Sequence, residues 1–171
     1  PNEYSAWWYC VIPRETIEKN GYSLPLFIRG DDVEYSLRCK AKHITMNAIC
    51  VWHLGFITKY NAAMNVYHEC RNELIDKACN GGDIMKDCNI LHLVTIKRYR
   101  EALLQFNYNT AELALRAFRD YLAGPEFIME DRGEAIVKEN VKLNDDMQPL
   151  ETFGNYTFRY AGDVYADAPR R

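Results

Sequence analysis

The chain has little of what would staple a fold, span a bilayer or bind a polyanion. Its six cysteines (Cys10, Cys39, Cys50, Cys70, Cys79, Cys88) include no CxxC pair and fit no small-domain disulfide framework. They are expected to be reduced thiols in a cytoplasmic setting. Cys70, Cys79 and Cys88 read as core thiols, because their nine-residue interval is not a ligand spacing on one helix. No basic block is longer than Arg170-Arg171, and 21 Lys+Arg against 24 Asp+Glu leave a formal net charge of −3. That balance sets nucleic-acid binding aside. Apolar runs are short: Ile44 to Ile57 and Ile90 to Ile96 are broken by Asn47, His53, His92 and Thr95, far below the roughly 20 residues a membrane span needs. No internal repeat or low-complexity linker is present. The first residue is Pro1, with no charged n-region and apolar h-region after it, so a piece of a longer protein is expected.

What is abundant is aromatic surface: 12 Tyr, 7 Phe and 3 Trp make up 13% of the 171 residues. Such rings either fill a core or line a site that stacks on sugars or bases. With 48% hydrophobic and 26% charged residues, the composition is that of a soluble globular domain able to build a core without metal or disulfides.

Residues 4–13 are aromatic, β-favouring and stopped by Pro13, which predicts a short strand. Pro13 to Lys19, closed by Asn20-Gly21, predicts one or two helical turns. Leu24 to Ile28 is a second strand-like run, ending at Arg29-Gly30-Asp31-Asp32. Val33, Leu37 and Ala41 then follow helical spacing, with Asp31 or Asp32 placed to cap. Residues 44–53 predict a strand with His53 at its far end. Three helices are expected next: one from about residue 60 to Gly81-Gly82, one over 84–104, and one from Asn109 or Thr110 to Gly124-Pro125. A weak helical stretch over 130–143 and a strand or docked tail at 157–163 complete the reading. The expected class is α+β and predominantly helical, divided into residues 1–60 and 61–171.

Three features carry chemistry: Trp7-Trp8, Asp31-Asp32 with Glu34, and Trp52-His53. Each is expected at the mouth of a strand, where open α/β sheets build sites. Each also has a plain reading. Adjacent aromatics on a strand put one ring on each face, so one of them is core. Paired acids at a helix start cap it and offset its dipole. A histidine at a strand end is ordinarily structural.

The runs Ala6-Trp7-Trp8-Tyr9-Cys10-Val11-Ile12-Pro13, Leu24 to Tyr35 through Arg29-Gly30-Asp31-Asp32, Asn47 to His53, and Arg71-Asn72-Glu73-Leu74-Ile75 together resemble the family 2 glycosyltransferases of the galactofuranosyltransferase-like branch. The likeness is strong over residues 4–76 and weaker at Asp120 to Phe127. It implies the C-terminal part of a GT-A α/β catalytic domain (residues 1–60) followed by a helical region. It also implies an inverting hexosyltransferase that moves a sugar from a nucleotide diphosphate donor to a carbohydrate acceptor, in bacterial cell-surface polysaccharide synthesis. By the resemblance, Asp32 is the catalytic base, Asp31 holds the acceptor, Trp7 and Trp8 form its aromatic platform, and His53 is a ligand to Mn2+ or Mg2+. Arg29 reads as a diphosphate contact or an ion-pair partner of the acids.

The family's Asp-x-Asp motif has no counterpart: Asp163 and Asp167 are too far apart, and Asp145-Asp146 sits in a polar stretch. The chain is therefore expected to lack the donor-binding half, to be inactive alone, and to self-associate over the apolar residues of 4–13 and 44–52. Attachment at the inner face of the plasma membrane follows from the resemblance alone. The rival reading is a non-catalytic carbohydrate-binding or protein-interaction domain. A metal-dependent hydrolase built on Asp31, Asp32 and His53, with His68 or Glu69, is a weaker rival, because it needs two or three further converging ligands.

Overall fold

A computed structural model describes residues 4–40, 42–53, 61–81, 88–130 and 132–144. Its helices are α1 (Arg14–Asn20), α2 (Asp31–Cys39), α3 (Glu69–Cys79), α4 (Cys88–Leu91), α5 (Lys97–Leu104), α6 (Tyr108–Leu122), α7 (Pro125–Met129) and α8 (Gly133–Asn140). A π-helical turn, Ala63–His68, leads into α3, and a second, His92–Ile96, joins α4 to α5. A short 3-10 turn, Val141–Leu143, follows α8. No described helix is long and apolar enough to cross a membrane.

The core is made where the helical period places apolar side chains. Val66, Tyr67, Cys70 and Leu74 form one stripe, and Leu113, Ala114 and Ala117 form the facing one. The two alanines of that stripe let α6 lie close against α3, and Val94 and Ile136 belong to the same cluster. Leu74 and Leu113 are fully buried, so truncating either to alanine costs about 2–5 kcal/mol. The second π turn is tied to this core, since the Cys70 thiol donates to the Val94 carbonyl at 3.2 Å. Burial pushes that thiol up to about 12, so Cys70 is an inert core group as expected. Cys79, by contrast, is exposed.

The expected α/β architecture is not what forms. Among the described residues there is no strand and no sheet, so this is a helical domain and not a portion of a GT-A α/β domain. Residues 4–13 and 44–53 have β-favouring side chains, but a strand exists only as one member of a ladder. Both runs are interrupted by turns, at Trp7-Trp8 and at Asn47-Ala48, where Ala48 has φ +67°. Ile44, Met46, Val51 and Trp52 stay largely exposed, so the alternation finds no second face to bury. The expected strand or docked tail at 157–163 lies outside the described residues, as does Asp145-Asp146.

The helical expectations fare better, with shifted ends. α2 begins at Asp31, but neither acid is its cap: Gly30, in the left-handed region at φ +80°, occupies that position. Its buried residues are Glu34, Tyr35 and Ser36, not the Val33 and Leu37 stripe. Asn109 and Thr110 lie inside the first turn of α6, which Asn107 precedes.

Candidate functional site

Three consecutive residues before α2 have positive φ: Ile28 at +51°, Arg29 at +107° and Gly30 at +80°. A β-branched residue in that region is a backbone outlier, and such positions cost about 1–3 kcal/mol each. The turn persists because α3 clamps it. The Asn72 side-chain amide donates to the Arg29 carbonyl at 2.6 Å, and the Arg29 guanidinium donates to Asn65 Oδ1. Behind the turn, Phe27 meets α8, where a Cβ added to Gly133 would stand 2.2 Å from that of Phe27. The helical core thus fixes where α2 starts, and Asp31 and Asp32 occupy its first turn.

α2 is anchored at its other end by a buried ion pair. Glu34 is fully buried, and Arg38 donates to it through Nε at 2.6 Å and Nη2 at 3.3 Å. The same guanidinium donates to the carbonyls of Asn20 and Tyr22, tying α2 to the end of α1. Tyr35 donates its hydroxyl to the Gly21 carbonyl and presents its ring to Trp7, edge to face at 5.6 Å.

The N-terminal segment lies along α2. The Ser5 N–H donates to Ser36 Oγ at 3.4 Å, and the Trp7 N–H reaches the Asp32 carboxylate. Because Trp7 and Trp8 sit in a turn, their rings do not alternate across a sheet. Both line one cavity of about 810 Å³ together with Asp31 and Asp32. Glu69 and Glu73 of α3 also line it. His53 is not on that lining, but it stacks on Trp8 with centroids 4.9 Å apart and planes 21° apart. Trp8 is 55% exposed.

Burial raises the pKa of Asp32 above the usual aspartate value, and the charge of Asp31 adds to the rise. The N–H groups of Val33, Asp32 and Trp7 work in the opposite direction without cancelling it. A carboxylate of enhanced basicity beside two indole rings can accept a proton from a hydroxyl held in the cavity.

Of the expected site residues, the structure brings Trp7, Trp8, Asp31 and Asp32 together and places His53 behind Trp8. Arg29 turns to Asn65, a partner the sequence did not suggest. Asn65, Glu69, Asn72 and Glu73 were missed as a wall of the site. Their signal was a polar line at helical spacing on an otherwise buried helix. His68 is buried between Phe27 and Tyr67 with neither ring nitrogen hydrogen-bonded, and burial with the nearby Arg71 charge lowers its pKa to about 3. It is a neutral core imidazole. No group of three or more His, Cys, Asp and Glu among the described residues could hold a metal ion. His53 and the acids therefore do not form a Mn2+ or Mg2+ site by themselves, and no step below passes through a metal.

No protein-family model matches this chain, and no solved structure matches it. Two curated proteins do. The galactofuranosyltransferase GlfT2 of Mycobacterium tuberculosis is 34% identical over 133 residues, which is 74% of this chain and 20% of that protein. The galactofuranosyltransferase GlfT2 of Mycolicibacterium smegmatis is 35% identical over 130 residues, which is 72% of this chain and 19% of that protein. The chain spans about a fifth of the length of these relatives, and over most of its own length it is similar to a segment of galactofuranosyltransferase GlfT2.

Proposed function

We propose that this chain is the acceptor-side segment of a galactofuranosyltransferase-like glycosyltransferase of cell-surface polysaccharide synthesis. The observation that carries the reading is the convergence of Trp7-Trp8 and Asp31-Asp32 in one cavity. Trp8 and Asp32 are 24 residues apart in sequence, and each stands at or directly after a turn, at Trp7-Trp8 and at Ile28–Gly30. The similarity to two galactofuranosyltransferases supports it from an independent direction.

The chemistry follows from the residues. The apolar face of an acceptor sugar packs on the indole rings, which orients one hydroxyl toward the acids. Asp31 accepts a hydrogen bond from a neighbouring hydroxyl of that sugar. Asp32 takes the proton of the attacking hydroxyl as its oxygen bonds to the anomeric carbon of the donor. The bond from that carbon to the diphosphate breaks, and its electron pair leaves with the nucleoside diphosphate. One displacement inverts the anomeric centre. His53 is proposed as a single donor to a divalent cation, with the other donors outside the described residues.

The test is fluorescence titration of the chain with an oligogalactofuranoside. Saturable quenching that is lost in Trp8→Ala, and retained in Asp32→Asn, is expected. No response from the wild-type chain would refute the acceptor reading.

A further inference from the structure

Asn72 lies in the middle of α3, where an asparagine is a poor helix former, and it is 1% exposed. Both ends of its amide are used. Its nitrogen donates to the Arg29 carbonyl at 2.6 Å, and its oxygen accepts from Arg71 Nε at 3.0 Å. Arg71 is buried in turn, with its guanidinium over the Tyr67 ring at 5.4 Å, and the Tyr67 hydroxyl donates to Asp120 on α6. An unbroken line of contacts therefore runs from the core helix α6 through Tyr67, Arg71 and Asn72 to the carbonyl that immediately precedes Gly30-Asp31-Asp32. The Asn72 Cβ also stands 3.5 Å from where a side chain on Gly30 would begin, so the turn rests directly on this residue.

We infer that Asn72 is the positioning residue of the site: it holds the Ile28–Gly30 turn in its positive-φ form and so sets where the Asp31 and Asp32 carboxylates stand in the cavity. This rests on the acceptor reading only for its consequence, not for its geometry. An asparagine is required because the position needs a donor toward Arg29 and an acceptor toward Arg71 on one short planar group. Aspartate keeps the shape and loses the donor. Glutamine adds a methylene, which carries the amide away from the positions where it meets both Arg29 and Arg71. Without the clamp, Ile28 and Arg29 relax to negative φ and the first turn of α2 moves away from Trp7, whose N–H steadies Asp32.

The experiment compares Asn72→Ala and Asn72→Asp with Cys70→Ala, a core substitution that removes a buried contact away from the turn. Urea midpoints report folding, carbon-detected NMR reports the Asp31 and Asp32 carboxyls through a pH titration, and tryptophan fluorescence reports oligogalactofuranoside binding. Both Asn72 variants are expected to move the Asp31 and Asp32 resonances and to weaken binding about tenfold, and Asn72→Ala, which adds no charge to the cavity wall, should bring the Asp32 midpoint toward that of an ordinary aspartate. Cys70→Ala should lower stability and leave those resonances in place. A folded Asn72→Asp protein with wild-type carboxyl titrations overturns the inference, as does Cys70→Ala moving them equally. Should Asn72→Ala fail to fold, the wild-type protein still decides: slow exchange of the Asn72 side-chain amide protons is expected, and rapid exchange overturns the clamp. If the carboxyls move in Asn72→Ala but the wild-type chain binds no saccharide, the positioning role stands and the acceptor reading falls.

Discussion

Replacing Arg38 by alanine isolates the contact that holds the acid-bearing helix in place. The guanidinium is shared among the Glu34 carboxylate and the carbonyls of Asn20 and Tyr22. Its removal leaves a fully buried carboxylate with no ion-pair partner among the described residues. Breaking a buried pair from one side costs about 3–5 kcal/mol. The Arg38 side chain is 27% exposed, so water can partly reach the vacated space, and the expectation sits near the lower end, at about 3 kcal/mol. For a chain of this size that lowers Tm by roughly 6–12 °C. Urea unfolding with a common m value measures it. The double variant Glu34→Leu with Arg38→Met should recover more than half of the loss, because no charge is then stranded. Arg14→Ala, which breaks the exposed pair with Glu18, should cost about 0.5 kcal/mol or less. An Arg38→Ala cost under about 1 kcal/mol, or a double variant no better than the single, would refute the view that a desolvated Glu34 anchors α2.

Three further outcomes are expected. Gly133→Ala sets a Cβ 2.2 Å from that of Phe27, so α8 must shift, at a cost of about 1–3 kcal/mol; Phe27→Ala keeps the offending Cβ and should not rescue it, whereas full stability in Gly133→Ala would show the packing is looser than described. His68 has a folded pKa of about 3, below the ordinary 6.5, so the unfolded chain binds more protons between those values and stability falls as pH drops below about 6.5, by up to ~1.4 kcal/mol per pH unit. Asp32 and Asp76, whose pKa values are raised, act oppositely nearer pH 4, so urea midpoints over about pH 5 to 7 in wild type and His68→Leu are the clean comparison, and equal slopes would refute a neutral buried imidazole. Finally, the 171-residue chain incubated with UDP-galactofuranose, Mn2+ and an acceptor should release no UDP, and turnover would refute the division of labour assumed for the proposed function.

The sequence was legible where one period repeated for several turns. Val66, Cys70 and Leu74 on one helix and Leu113, Ala114 and Ala117 on another announce a face, and both faces are the core. It misled where content stood in for pairing. The runs at 4–13 and 44–53 have the residues of strands, yet a non-glycine turn at Ala48 and the turn at Trp7-Trp8 carry no sequence punctuation. That error had a consequence for the site. A strand would have sent Trp7 and Trp8 to opposite faces, whereas the turn sends both to the cavity. On α2 the period also failed, because the buried face is Glu34, Tyr35 and Ser36, and a glutamate reads as buried only once Arg38 is known to meet it. Asn72 sits within Arg71-Asn72-Glu73-Leu74-Ile75, and nothing in that run shows that its amide reaches back 43 residues to Arg29.

The position of Asp32 sets two effects against each other. A carboxylate in the first turn of a helix is stabilised as an anion by the free N–H groups and the macrodipole, and Val33 donates to Asp32 at 2.9 Å in just that way. Left alone, such a group is a weak base. Burial in the cavity and the Asp31 charge oppose this, and the balance is a pKa above the ordinary value. The helix start thus keeps Asp32 oriented while desolvation makes it a better proton acceptor. Losing the orientation and losing the burial would therefore have different signatures. A variant that opens the cavity, such as Trp7→Ala, should lower the Asp32 pKa while leaving its hydrogen bond to Val33 intact, and a pKa that stays raised would show that Asp31, not desolvation, is the dominant cause.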